Sequence, residues 1–227
     1  MQNKLHEDKL VGLVLTFIGG ALDAYTYIHY DVFASAQTGN VIQGIIQLFE
    51  GQWGSVGKKF LSTVFFLLGV ILAKFLIDYF YRKKIHYWRL FILYYEALLF
   101  LIISFDIINK HQAAVTMLIA FTASVQWVVF DKIEGRQYTS LFTTGNLKGM
   151  GVNLYEYLKT KEEKDRQNFF HFFWVVVAFL SGAIVSTIFY KWLGGKAILM
   201  VSLLFLVLSI YETILMIRFY KENNLMN

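Results

Sequence analysis

Six apolar runs of 18 or more residues constrain this chain more than any other feature. They lie at 10–30, 60–81, 90–108, 113–130, 169–190 and 197–219. A helix of that length crosses a hydrocarbon core of about 30 Å, and a soluble domain has little use for so many. Composition agrees: charged residues make up 16% of the chain, against about 25% in an average soluble domain. The expected class is therefore an all-α, polytopic helical membrane protein whose surroundings are the lipid bilayer. The polar start and the lack of a small-residue cleavage site argue against a cleaved signal peptide.

Inside this frame one short motif occurs twice. Thr38-Gly39-Asn40 and Thr144-Gly145-Asn146 lie 106 residues apart in a chain of 227. Each copy follows an apolar run that carries a polar group and opens a short, half-polar run. The order is long, short, long, long, and then the same again, which predicts two repeats, 1–110 and 111–227. Weaker parallels extend the match: Gly69 with Gly182, and Tyr95-Glu96 with Tyr211-Glu212.

The short runs leave two topologies. From Thr38 to Phe49 a helix is about 18 Å long, too short to cross. If both short segments re-enter, there are six spans. Fifteen Lys and Arg residues then fall on one side, with both termini, and five on the other. If both cross, there are eight spans and the asymmetry nearly disappears. The charge rule prefers six spans with cytoplasmic termini. Three spans per half would make the repeats inverted, as in many secondary transporters. The net charge of +5 reads as this loop bias rather than as nucleic-acid binding.

The candidate site follows from the same motif. Asn40 reads as a helix N-cap, with Gln43 completing a capping box. A half-helix starting inside the membrane aims free N–H groups at the midplane, a setting suited to an anion or polar solute. Thr38, Gly39, Asn40, Thr144, Gly145 and Asn146 are the expected substrate-binding residues. The alternative is tight packing through small residues. Gln126 joins the list as a polar group inside a span, although such a group most often makes an interhelical hydrogen bond. Asp23 and Glu96 are carboxyls at membrane depth, where an ionisable group is a functional hypothesis by default; they are the expected proton- or cation-coupling residues. For Asp23 the alternative is a structural bond at a helix broken by Gly19-Gly20. Lys74 and Asp78, four apart, read as a pair with each other, and Glu212 as snorkelling near Arg218.

Enzyme motifs are missing: there is no Gly-x-Ser-x-Gly, phosphate loop or His-Glu-x-x-His. Cys and Pro are absent, and the histidines at 6, 29, 86, 111 and 171 have no ligand spacing. No cofactor or metal is expected, and helix breaks must come from Gly or polar groups. The expected function is a secondary transporter or permease of a small solute or ion; the alternative is a membrane binding or assembly module without flux. Oligomeric state is left open.

Gly20-Ala-Leu-Asp23-Ala24, followed by Thr38-Gly39-Asn40, resembles the YoaK-like family of bacterial integral membrane proteins, a domain of unknown function. Ala123-Ser-Val-Gln126, followed by the second Thr-Gly-Asn, is similar to its second signature, with Trp127 where Asn is usual and Ser124 where Gly is common. The resemblance covers nearly the whole chain. It implies a multi-span inner-membrane protein, sometimes labelled a permease, with no substrate attached.

Overall fold

The computed structural model describes residues 7–85 and 87–222; His6 and His86 lie outside them. The chain forms α1 (Lys9–Tyr30), α2 (Gln37–Phe49), α3 (Trp53–Arg82), α4 (Trp88–Ile103), a single turn α5 (Asp106–Asn109) and α6 (Gln112–Val129). A two-stranded hairpin follows, β1 (Lys132–Ile133) and β2 (Arg136–Gln137), with Ile133 paired to Arg136. Then come α7 (Thr144–Thr160), α8 (Glu163–Leu193) and, after a 3-10 turn at Gly194–Ala197, α9 (Ile198–Glu222).

By length and composition, α1, α3, α6 and the stretch Glu163–Lys221, which contains α8 and α9, can cross a membrane. On α3, Leu67, Ile71 and Phe75 face outward and are exposed, an apolar face that lipid accommodates better than water. α4 ends at Ile103, short of the 90–108 run, because Asn109 Nδ2 takes up the Ile103 carbonyl at 3.1 Å and turns the chain there.

α1 is the buried axis, with Val11, Leu15, Ile18 and Leu22 all inaccessible. The Asp8 carboxylate caps it by accepting from Leu10 N and Val11 N. It runs unbroken through Gly19-Gly20, which corrects the expected break. These glycines serve close approach instead. A Cβ on Gly19 would collide with the Ser140 carbonyl, and one on Gly20 with the Phe179 carbonyl of α8.

The two most extensive helix contacts are α1 with α8 and α3 with α6. Each joins the first long helix of one half to the second long helix of the other. Gly182 gives α8 its close approach to the Phe17 carbonyl of α1, and Gly69 gives α3 the same approach to the Phe121 carbonyl of α6. α4 and α9 pack on each other, with Phe100 stacked on Phe205 at 5.5 Å.

The short helices start in the middle of the molecule. Ser35 reaches Asp23, two turns before the end of α1, so the segment 31–36 has doubled back by about 10 Å. α2 then runs antiparallel to α3. Its first residue, Gln37, accepts from Thr63 at 3.0 Å, and near its end Gln47 donates to Asp31. In the second half the hairpin sits against the start of α1, where Glu134 N donates to the Glu7 carbonyl. The chain then runs inward to Leu141 beside Ser35. α7 returns along α8, with Gly149 against Phe172 and Thr160 beside Asp165. The two short helices thus leave the centre toward opposite ends.

Candidate functional site

Asn40 does not cap α2. The helix begins three residues earlier, at Gln37, with no side-chain cap, and Gln43 Oε1 has no partner, so the expected capping box does not form. Asn40 faces back instead. Its Oδ1 accepts from Phe33 N at 2.8 Å, and its Nδ2 donates to the Phe33 carbonyl at 2.9 Å and to Gln37 Oε1 at 3.0 Å. Asn146 does the same to Thr139, accepting from its N at 3.2 Å and donating to its carbonyl at 2.7 Å. In both halves the amide clamps a residue seven positions upstream. It satisfies backbone groups that non-helical chain inside the molecule would otherwise leave bare.

The clamped loops meet at Asp23. Asp23 is buried and accepts from Ser35 N at 2.8 Å and from Ser35 Oγ at 2.7 Å. The same hydroxyl lies 2.6 Å from the Leu141 carbonyl. Ser35 therefore joins the α1 carboxyl to both loops. A cavity of about 470 Å³ opens beside them, lined by Gly20, Asp23, Phe33, Phe142, Thr143 and Thr144 among others. The Thr143 hydroxyl is buried with no partner.

A larger, more polar cavity of about 640 Å³ lies on the other side of the second motif. Gly145 and Asn146 line it, together with Lys74, Arg89, Lys132 and Asp131. Trp127 belongs to this cavity and Phe142 to the first; their rings meet edge to face at 5.0 Å. The aromatic pair stands between the two spaces.

Only part of the expected site is thus brought together. Asp23 and Thr144 share one cavity; Gly145 and Asn146 line the other. Thr38 is exposed on α2, Gly39 packs on the Phe33 ring, and neither lines these cavities. Gln126 and Glu96 are fully buried with no hydrogen-bond partner for either side chain, and neither lines these cavities. Lys74 and Asp78 are both exposed, and no ion pair joins them among the described residues. Lys74 turns to the polar cavity instead. Glu212 does not snorkel: it is buried, within electrostatic reach of Arg89 and Asp8.

Sequence reasoning missed Ser35, whose role depends on a loop 106 residues away. It also missed two polar knots at the far end of α1. Asp31, at φ 58°, accepts from Lys59 and Gln47 and so ties α2 and α3 to α1. Asn109 holds Tyr25 through Nδ2 at 2.8 Å and His29 Nε2 through Oδ1, while His29 Nδ1 meets Tyr190 OH at 2.8 Å. Because Asn109 offers an oxygen to Nε2, that nitrogen carries the ring proton. Among the described residues no group of three or more His, Asp or Glu residues could hold a metal.

One family model matches the chain, over residues 11–211, with the description "Protein of unknown function (DUF1275)". No curated protein and no solved structure matches it.

Proposed function

The chain belongs to the DUF1275 family of proteins of unknown function, and we propose that it is a secondary transporter of a small polar or anionic solute. In this reading six helices span the membrane, α1, α3, α4, α6, α8 and α9. The helices α2 and α7 are re-entrant, and the two halves are inverted repeats. The observation that carries the reading is that α2 and α7 both start inside the molecule, next to the Asp23–Ser35–Leu141 contact, from loops clamped alike. Transporter sites built from broken segments near the midplane follow this logic.

Ser35 and Leu141 support the inverted repeat. They hold matching positions, each three residues before a Thr-Gly-Asn, and they touch. A residue that touches its own counterpart lies on the axis relating the two halves. The end with the basic loop 82–89, the hairpin and α7 is cytoplasmic by the charge rule. The solute enters there through the cavity with Lys74, Arg89 and Lys132, where N–H groups at the start of α7 add positive potential. Asp23 carries the coupling proton or cation.

Reconstituted protein tests this directly. Proteoliposomes loaded with small anions or polar solutes should show flux that depends on a pH gradient, and Asp23→Asn should remove that dependence with the fold retained. Flux with unchanged pH dependence in Asp23→Asn would end the coupling role. Single Cys replacements at 58, 83, 161 and 196 test the topology in intact cells. An impermeant thiol reagent should label 58 and 196 only; labelling at 83 and 196 with none at 58 would mean eight spans.

A second reading, a binding module without flux, is favoured by the Trp127–Phe142 pair between the cavities. It predicts solute binding without transport, even after Trp127→Ala opens the wall.

A further inference from the structure

A separate cavity of about 350 Å³ lies where α1, the hairpin and α8 begin to pack together. Lys9, Arg136, Arg166, Gln167, His171 and Trp174 line most of it. Three cations thus come from three different elements. Glu134 is the carboxylate in the lining, 3.7 Å from Arg136; Glu163 meets Arg166 at 3.2 Å, and Glu7 Oε2 accepts from Gly135 N at 2.9 Å. Lys9 makes no ion pair among the described residues. Among the residues that line the cavity, three cations face one carboxylate.

His171 adds an independent sign of a missing ligand. It is only 8% exposed, it lines this cavity, and its Nε2 has no partner. Buried polar atoms are rarely left so. Gln167 is already engaged by Arg136 Nη2 at 3.3 Å, which fixes one wall beside the His171 ring.

The occupant is indicated by the rim. Phe170 and Trp174, one turn apart on α8, are each 46% exposed and border the same cavity. A water-soluble phosphate compound gains nothing from such a wall. Acyl chains do, and Trp is favoured where headgroups meet hydrocarbon. We propose that this cavity binds the phosphate of an anionic phospholipid, with Lys9, Arg136 and Arg166 around the headgroup and the chains along Phe170 and Trp174. Basic pockets at helix ends bind such lipids by this chemistry. The inference rests on the membrane reading of α8 and not on transport.

Purified full-length protein in neutral detergent tests it, with phosphatidylglycerol, phosphatidylcholine or inorganic phosphate added. Lipid retention is read by native mass spectrometry and stability by thermal unfolding. Phosphatidylglycerol should stay bound and raise the unfolding midpoint, while phosphatidylcholine and phosphate do neither. Combined Lys9→Gln, Arg136→Gln and Arg166→Gln should weaken retention at least tenfold. His171→Phe, which keeps the three cations, should weaken it by a smaller factor and serves if the triple variant fails to fold. Equal retention of phosphatidylcholine, retention unchanged in the variants, or an equal shift with phosphate alone would each overturn the proposal. Flux is not read, so the lipid site and the transport reading stand or fall separately. Membrane fractionation of the unmodified chain checks the premise they share.

Discussion

Ser35 donates to the carbonyl of Leu141 at 2.6 Å, across the same 106 positions that separate the two Thr-Gly-Asn copies. Its oxygen also lies 2.7 Å from Asp23 Oδ2. A hydroxyl has one hydrogen to give. With Asp23 ionised, the carboxylate competes for it and the Leu141 carbonyl loses its partner. With Asp23 protonated, the acid donates to Ser35 and Ser35 donates to Leu141. Protonation of Asp23 and contact between the two halves are thereby one hydrogen-bond chain.

Asp23→Asn should therefore fold. Its oxygen still accepts from Ser35 N, and its amide donates to Ser35 Oγ as the protonated acid would. We expect a stability change within about 1 kcal/mol. Ser35→Ala breaks both links and should cost about 2 kcal/mol. Unfolding in detergent at neutral pH measures both; an Asn variant destabilised as much as Ser35→Ala would contradict the chain of bonds.

Asn40→Ala and Asn146→Ala should be damaging to a similar degree. Each strips a partly buried backbone N–H and C=O of their partner, at Phe33 and at Thr139. Unmet backbone groups of this kind cost about 1–3 kcal/mol each. Asp substitutions keep the acceptor and lose the donor, so they should fall between Ala and the original residue. Unfolding midpoints that place Asp below Ala would argue against the clamp.

Stability should fall in acid through Asp31. Burial pushes its carboxyl up, but hydrogen bonds from Lys59 and Gln47 outweigh this and hold it below the ordinary value of 3.8. The unfolded chain then takes up the proton first. The contribution is complete above 3.8 and is lost as pH falls through the lower folded value. The gap in unfolding midpoint between the unmodified protein and Asp31→Asn should be constant from about pH 5 to 8 and close below that range. A gap that persists unchanged to pH 3 would remove Asp31 from the account.

Gly182→Ala should destabilise, whereas Gly54→Ala should not. A Cβ at 182 meets the Phe17 backbone, which cannot step aside, and one at 54 meets nothing within 4 Å. Overpacking of the first kind costs about 1–3 kcal/mol, while Ala at a compatible helix position gains up to about 1 kcal/mol. Equal midpoints for the two variants would show that α1 and α8 are not held in close contact.

Most of the helices could be read from apolar length, because lipid and buried helix faces both demand it. α2 is legible too, since Thr38 to Phe49 is too short to cross; α7, with 17 residues against 16 in α4, is set apart only by where it starts. Asp23 could be placed in the site because a carboxyl at that depth needs an explanation. Its partner could not be named: Ser35 is an ordinary loop residue, and only the folded geometry sets it against Leu141. Asn40 was misread for a related reason. Its amide can cap a helix or bind a strand-like loop, and the choice depends on where the loop runs. Gly19-Gly20 looked like a break, since glycine weakens an isolated helix; the carbonyls of Ser140 and Phe179 that need the space belong to distant segments.

The exchange of partners between halves also sets an order in time. Gly20 and the Phe179 carbonyl it packs against are about 160 residues apart. At about 5–20 residues per second, synthesis separates them by roughly 8–30 s. Through that interval α1 is without the backbone that fills its glycine groove. Ser35, only 12 residues beyond Asp23, emerges almost at once. The bond that later joins the two halves thus begins as a local one, which shields a carboxyl while the rest of the chain is still being made.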